Sequence, residues 1–197
     1  LSVPAPVILV LAFPAMVLIF LFRDPHRIPP DEPPGRLLAP ADGHVISIED
    51  SRHPESPDSV RISIFIRLVD VHVLRVPIRS QMIALLHTPG TFHRCIEDRA
   101  VSENECMDCL LRSPLGPVRV VLLAGWFTRR IVCWARPDDM LLRGQRFAVI
   151  KLGSRVDLYL PATSKILVSE GTRVVAGITP VAILAAPPTW PSPGSGH

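Results

Sequence analysis

Four side chains in this sequence are of types that could move protons or form covalent bonds: Ser154 in KLGSRVDLYLP, Asp70 and His72 in VDVHVLRVP, and Asp42 in PADG. A serine hydroxyl becomes a nucleophile when a neighbouring base takes its proton, and histidine is the side chain best suited to that near neutral pH. A carboxylate could orient the histidine, so Asp42, His72 and Ser154 have the composition of a hydrolase triad. The serine lacks the elbow such enzymes use, because Val156 stands where G-x-S-x-G needs its second glycine. Each residue also has a plainer reading. Gly153-Ser154 and Asp42-Gly43 make ordinary turns, and a lone histidine on a strand is most often merely accommodated there. Three such residues in one small domain point to a site.

The elements that must position them read as strands. Arg155 and Asp157 alternate with Val156, Leu158 and Leu160, so Ser154 is expected to lead directly into a half-buried strand. In VRISIFIRLVDVHVLRVPI, Ile62, Ile64 and Ile66 fall on one face. Further along, alternation puts Asp70 and His72 on one face and Val69, Val71 and Val73 on the other. A short strand is predicted from Leu37, then a turn at Asp42-Gly43 and a strand carrying Val45, Ile46 and Ile48. SRHPESPDS reads as a loop, EDRAVSENECMD as helix or ordered loop, and ARPDD and RGQ as turns. KILVSEGTRVVAGITPVAILA has the V-x-x-G rhythm of tight β-turns. The expected domain, residues 37–186, is mainly β, a flattened barrel or sandwich-like hybrid, with residues 187–197 as a disordered tail.

Charge and hydropathy divide the chain. Residues 1–22, LSVPAPVILVLAFPAMVLIFLF, contain no charged side chain, which is about the length a membrane-crossing helix needs. Pro14 invites a kink or a shallow hairpin there. No basic leader or small-residue cleavage site marks a signal peptide. Arg23, Asp24, His26 and Arg27 follow at once, and RDPHRIPPDEPPGR, residues 23–36, reads as an extended proline-rich linker. The expectation is a membrane-associated protein. The net charge of +3 makes no case for nucleic acid. Lys151 and Lys165 are the only lysines; the arginine excess suits phosphate contacts, though genome composition would produce the same bias.

Cys95, Cys106, Cys109 and Cys133 give a single CxxC without the second pair a structural zinc site would use, so no metal is expected, and they fit a reducing compartment. DMLLRGQRFAVI and EGTRVVAGITPVAIL share a turn–hydrophobic pair–Gly–strand pattern found in lipoyl- and biotinyl-carrier barrels. A non-enzymatic carrier-like binding module is therefore an alternative. Lys165 is the one lysine it could modify, and it lacks the flanking residues of such hairpins.

The chain resembles the short-type phosphatidylserine decarboxylase proenzymes. The resemblance rests on FRDP (22–25), PADG (40–43), ISIF (62–65), DVHVLRVPI (70–78), PGTF (89–92), SENE (102–105), RRIVCW (129–134), GSRVDLYLP (153–161) and EGTRVVAG (170–177), in that order and spacing. It implies self-cleavage between Gly153 and Ser154 into chains 1–153 and 154–197, with Ser154 converted to a covalent pyruvoyl cofactor. That carbonyl would form a Schiff base with a serine phospholipid and absorb the carbanion left by decarboxylation, without a metal. The resemblance further implies that Asp42 orients the base for cleavage and that His72 transfers protons in cleavage, decarboxylation or both. The longer relatives carry a second histidine where this chain has Arg75, which cannot act as a base near neutral pH and would instead grip carboxylate or phosphate. Their ENER motif is here Glu103-Asn104-Glu105-Cys106. The implied partners are the serine lipid, the cell membrane on its cytoplasmic side, and the two cleavage products for each other.

Overall fold

The computed structural model describes residues 5–31, 33–53, 56–93, 95, 103–125, 130–150 and 153–185. The expected tail and much of the EDRAVSENECMD stretch lie outside these. A helix, α1 (Ala5–Leu21), comes first, with Pro14 inside it. Fourteen strands follow among the described residues: β1 (Arg36–Leu38), β2 (Gly43–His53), β3 (Ser56–Ile66), β4 (Val73–Arg75), β5 (Ser80–Thr88), β6 (Cys106–Ser113), β7 (Gly116–Leu123), β8 (Ile131–Cys133), β9 (Met140–Leu141), β10 (Arg146–Ile150), β11 (Ser154–Pro161), β12 (Lys165–Ile166), β13 (Arg173–Val174) and β14 (Pro180–Ile183).

They form one eight-stranded sheet, β13-β2-β3-β11-β7-β6-β5-β9, and two three-stranded sheets, β1-β14-β12 and β4-β10-β8. The pairings between these strands are antiparallel, as short turns between successive strands require. One core joins the three sheets: Val45, Ile64, Val156 and Leu158 from the large sheet meet Leu37 and Val181 from one small sheet and Leu74 and Ala148 from the other. The domain is mainly β, as its alternating apolar pattern predicts.

Two expectations are corrected. The SRHPESPDS segment is largely strand among its described residues, since β2 and β3 pair out to His53 and Ser56. The run from Val60 to Ile78 is broken: the chain turns at 67–70, where Asp70 N–H donates to Arg67 O at 3.0 Å, before β4 resumes. Alternation is therefore lost, and Val69 is half exposed while Val71 and Val73 are buried beside a buried Asp70 and His72.

The linker lies against the domain. Arg75 Nη2 donates to Pro25 O at 3.0 Å, Arg143 Nη2 to Pro30 O at 2.8 Å, and Arg146 pairs with Asp24 at 2.8 Å. Pro29 rests on Gly144, where a Cβ would come within 2.2 Å of the proline ring. The described helix α1 exposes Phe13, Met16, Leu18, Ile19 and Phe20. Among the described residues no helix is long and apolar enough to cross a membrane.

Candidate active site

Ser154 opens β11, which lies in the middle of the large sheet between β3 and β7. Its Cα sits opposite Ile66 of β3. The side chain is fully buried, and Oγ has no hydrogen-bond partner. A buried hydroxyl without a partner is a standing cost of about 1–3 kcal/mol, which the fold tolerates here. Gly153 precedes it at φ +72°, a left-handed conformation that side-chain-bearing residues rarely adopt. The Gly153 carbonyl is equally constrained: a Cβ on Gly125 would fall 1.5 Å from its oxygen.

His72 lies at the same end of the molecule. Its carbonyl accepts from Ile150 N–H at 3.2 Å, at the end of β10 and four residues before Ser154 in the sequence. On its other side the 67–70 turn leads from Ile66, the residue paired with Ser154. His72 is 3% exposed, and neither ring nitrogen makes a hydrogen bond. Burial pushes its pKa down, partly opposed by the Asp70 carboxylate, so the ring is neutral and able to accept a proton. Burial pushes the Asp70 pKa up, but hydrogen bonds from the Arg67 backbone and guanidinium outweigh it and hold the carboxyl below its usual range.

Asp42 immediately precedes β2, and Arg75 closes β4. Gly43 of β2 and Ser154 flank the end of β3, two strand spacings or about 10 Å apart. The Asp42 carboxylate accepts from Arg27 Nη1 and Nη2 at 2.6 and 2.8 Å and from Ala176 N–H at 2.8 Å. Among the described residues no hydrogen bond joins it to His72 or Ser154. Arg75 is 5% exposed and donates to Gly144 O at 2.9 Å as well as to the linker. It lines an open cleft of about 300 Å³ with His26, Arg27 and Arg146. Burial and then the neighbouring Arg27 and Arg146 lower its pKa. The structure thus places Ser154 and His72 on either side of the chain that leaves β3, and ties Asp42 to Arg27 at the edge of the cationic cleft that Arg75 lines.

Sequence reasoning missed the polar support beneath Ser154. Arg155 and Asp157 were expected at a solvent face, yet every residue from Ser154 to Leu160 is buried. Arg155 Nε and Nη2 donate to the Asp157 carboxylate at 2.6 and 3.0 Å, Nη2 also donates to Ser63 Oγ at 2.9 Å, and Nη1 donates to Cys95 O at 3.4 Å. Nothing in an alternating pattern separates an exposed charge pair from a buried one. Gly125 was missed too; only its approach to Gly153 reveals it.

The groups present suit a pyruvoyl precursor: an orphaned, buried hydroxyl follows a carbonyl held in place, with a neutral histidine at the same end. A serine so placed defines a β protein with a buried, unpartnered hydroxyl at the head of a central strand. Comparison with known proteins then supplies the family. A family model described as phosphatidylserine decarboxylase matches residues 15–182. The phosphatidylserine decarboxylase proenzyme of Desulfotalea psychrophila (strain LSv54 / DSM 12343) is 40% identical over 164 residues, covering 82% of this chain and 76% of its own. That of Geotalea uraniireducens (strain Rf4) is 39% identical over 171 residues, 86% of this chain and 80% of its own. The chain belongs to the phosphatidylserine decarboxylase family.

Proposed function

We propose that this chain is a proenzyme that cleaves itself between Gly153 and Ser154 and then decarboxylates phosphatidylserine to phosphatidylethanolamine. The observation that carries the reading is the Gly153-Ser154 junction: left-handed glycine, then a fully buried serine with a free Oγ. Attack by Oγ on the Gly153 carbonyl carbon forms an ester as the peptide C–N bond breaks, and the hydroxyl proton ends on the amine. Loss of the Ser154 α-proton with rupture of Cβ–Oγ then releases the Gly153 carboxylate and leaves dehydroalanine. Water hydrolyses its imine tautomer, ammonia leaves, and residue 154 carries a pyruvoyl group.

That group supplies an electron sink for the carbanion that loss of carbon dioxide leaves. His72, neutral and at the same end as Ser154, is the base for the α-proton and the proton carrier in turnover. Asp42 acts through Arg27 and the backbone of Ala176, holding the turn that feeds β2. Arg75, with Arg27 and Arg146, supplies positive charge for the lipid phosphate or carboxylate. Helix α1 lies in the surface of the cell membrane with the β domain on the cytoplasmic side, a reading supported by its exposed apolar side chains and the basic residues that follow. The segments 1–22, 23–36 and 37–186 act as anchor, strap and catalytic domain. The products 1–153 and 154–197 stay together, because β11 remains paired with β3 and β7 on either side.

Intact mass tests this. The purified chain should run as one species in native buffer and split in denaturant into two, the smaller blocked to Edman degradation. Ser154→Ala should remain full-length and inactive. Decarboxylation by the Ser154→Ala chain would sink the mechanism.

A further inference from the structure

The PGTF motif, the Glu103-Asn104-Glu105 triplet and Gly125 serve no step described above, yet they meet at one place. Thr91 and Asn104 form a parallel bridge. Thr91 N–H donates to Glu103 O at 2.6 Å, Glu105 N–H donates to Thr91 O at 3.0 Å, and the Thr91 hydroxyl donates to Glu103 O at 2.9 Å. Gly90 lies so close that a Cβ there would fall 2.4 Å from Glu103 O. Asn104 is 3% exposed: Oδ1 accepts from His93 N–H at 2.7 Å, and Nδ2 donates to His93 O and to Ala124 O, each at 2.9 Å. Ala124 N–H donates to Glu105 O at 2.9 Å. Both backbone polar groups of Ala124 are therefore held by residues 104 and 105, and the next residue is Gly125.

On the reading that Gly153-Ser154 is a self-cleavage site, we propose that the Thr91–Asn104–Ala124 zipper is a positioning device for that cleavage. It holds Gly125 as a flat shelf against the Gly153 carbonyl oxygen. Attack forms the Oγ–C bond and pushes the carbonyl π pair onto that oxygen; collapse breaks the C–N bond, and the departing amine takes the hydroxyl proton. Attack requires the carbonyl carbon to present one face to Oγ, and a peptide free to rotate would present it only part of the time. With the oxygen seated on Gly125, that rotation is blocked, and the glycine Cα–H offers a weak contact as negative charge grows. Only glycine fits. An alanine Cβ would need about 3.0 Å where 1.5 Å is available, so the carbonyl or the shelf must move by roughly the difference. A misplacement near 1 Å costs about a hundredfold in rate.

The test is a time course of cleavage by intact mass on the full chain, for the parent, Gly125→Ala and Asn104→Asp. Asn104→Asp adds no bulk; it keeps the acceptor for His93 N–H and removes both donors. Thermal melting reports folding. Hydroxylamine traps any accumulated ester, and turnover of phosphatidylserine vesicles is normalised to pyruvoyl content. Both variants should melt cooperatively and cleave about a hundredfold more slowly than the parent. They should accumulate no hydroxylamine-sensitive ester, and their matured fraction should turn over at the parental rate per pyruvoyl. Where Gly125→Ala fails to fold, Asn104→Asp decides by the same split. Parental cleavage rates in folded variants overturn the shelf, as does an ester that hydroxylamine releases, because the shelf would then act after attack. Cleavage and turnover falling together, or loss of folding in both variants, means the zipper carries the fold rather than the reaction. A parent chain that never cleaves sinks the self-cleavage reading instead, a result distinct from all of these.

Discussion

His72 couples burial to reactivity. Burial makes this imidazole harder to protonate and outweighs the opposing Asp70 carboxylate, so the folded chain binds a proton here less readily than the unfolded one. The stability this group contributes is present above the unfolded value of about 6.5 and is lost as pH falls from there toward the lower folded value. The fraction of His72 in its proton-accepting form falls over the same window. Self-cleavage should therefore hold at its maximum between about pH 7.5 and 8 and have its acid midpoint below about 6.5. His72→Gln should leave most of the chain uncleaved while preserving the melt above that window. A cleavage profile with its midpoint above about 6.5 would remove His72 as the base.

β11 is the element on which the junction depends. Each face of this central strand is covered, so its charged pair is buried with it: Asp157 is fully enclosed and Arg155 is its partner. A buried ion pair contributes little net stability over an apolar replacement, but removing one member strands the other. Arg155→Met, made in the Ser154→Ala chain so that unfolding involves one uncleaved polypeptide, should cost about 3–5 kcal/mol in urea denaturation. A loss below about 1 kcal/mol would mean that the pair behaves like an exposed one. The same guanidinium reaches Ser63 on β3 and the carbonyl of Cys95, so it ties β11 to its neighbours immediately beyond Ser154.

The molecule as a whole places its apolar helix next to the turn that precedes His72. Arg23, at the end of α1, donates to Val69 O at 2.8 Å in the turn that precedes His72, and its guanidinium covers the Phe20 ring at 4.2 Å. The described part of α1 spans about 25 Å, less than the roughly 30 Å of a bilayer core, and exposes apolar side chains to its surroundings. If it lies in the lipid surface, Phe13→Asp with Ile19→Asp should weaken co-sedimentation with phosphatidylserine-containing vesicles by at least about tenfold, because two large exposed apolar side chains can no longer enter the lipid. Chain cleavage should be unchanged. Undiminished sedimentation would assign membrane contact elsewhere.

The sequence by itself determined the mainly β character, the strand that starts at Ser154, the turns at Asp42-Gly43, ARPDD and RGQ, and the apolar amino-terminal segment. Each follows from local periodicity or turn chemistry, which a linear pattern records directly. The order of its motifs also carried the family resemblance. Only the tertiary structure decided that Arg155 and Asp157 are interior, since burial of a strand's second face depends on elements far away in the chain. It also tied the Asp42 carboxylate to Arg27 and the Ala176 N–H, and brought Gly125 against Gly153. Those are distances between residues remote in sequence, and they are fixed by how three sheets pack around one core.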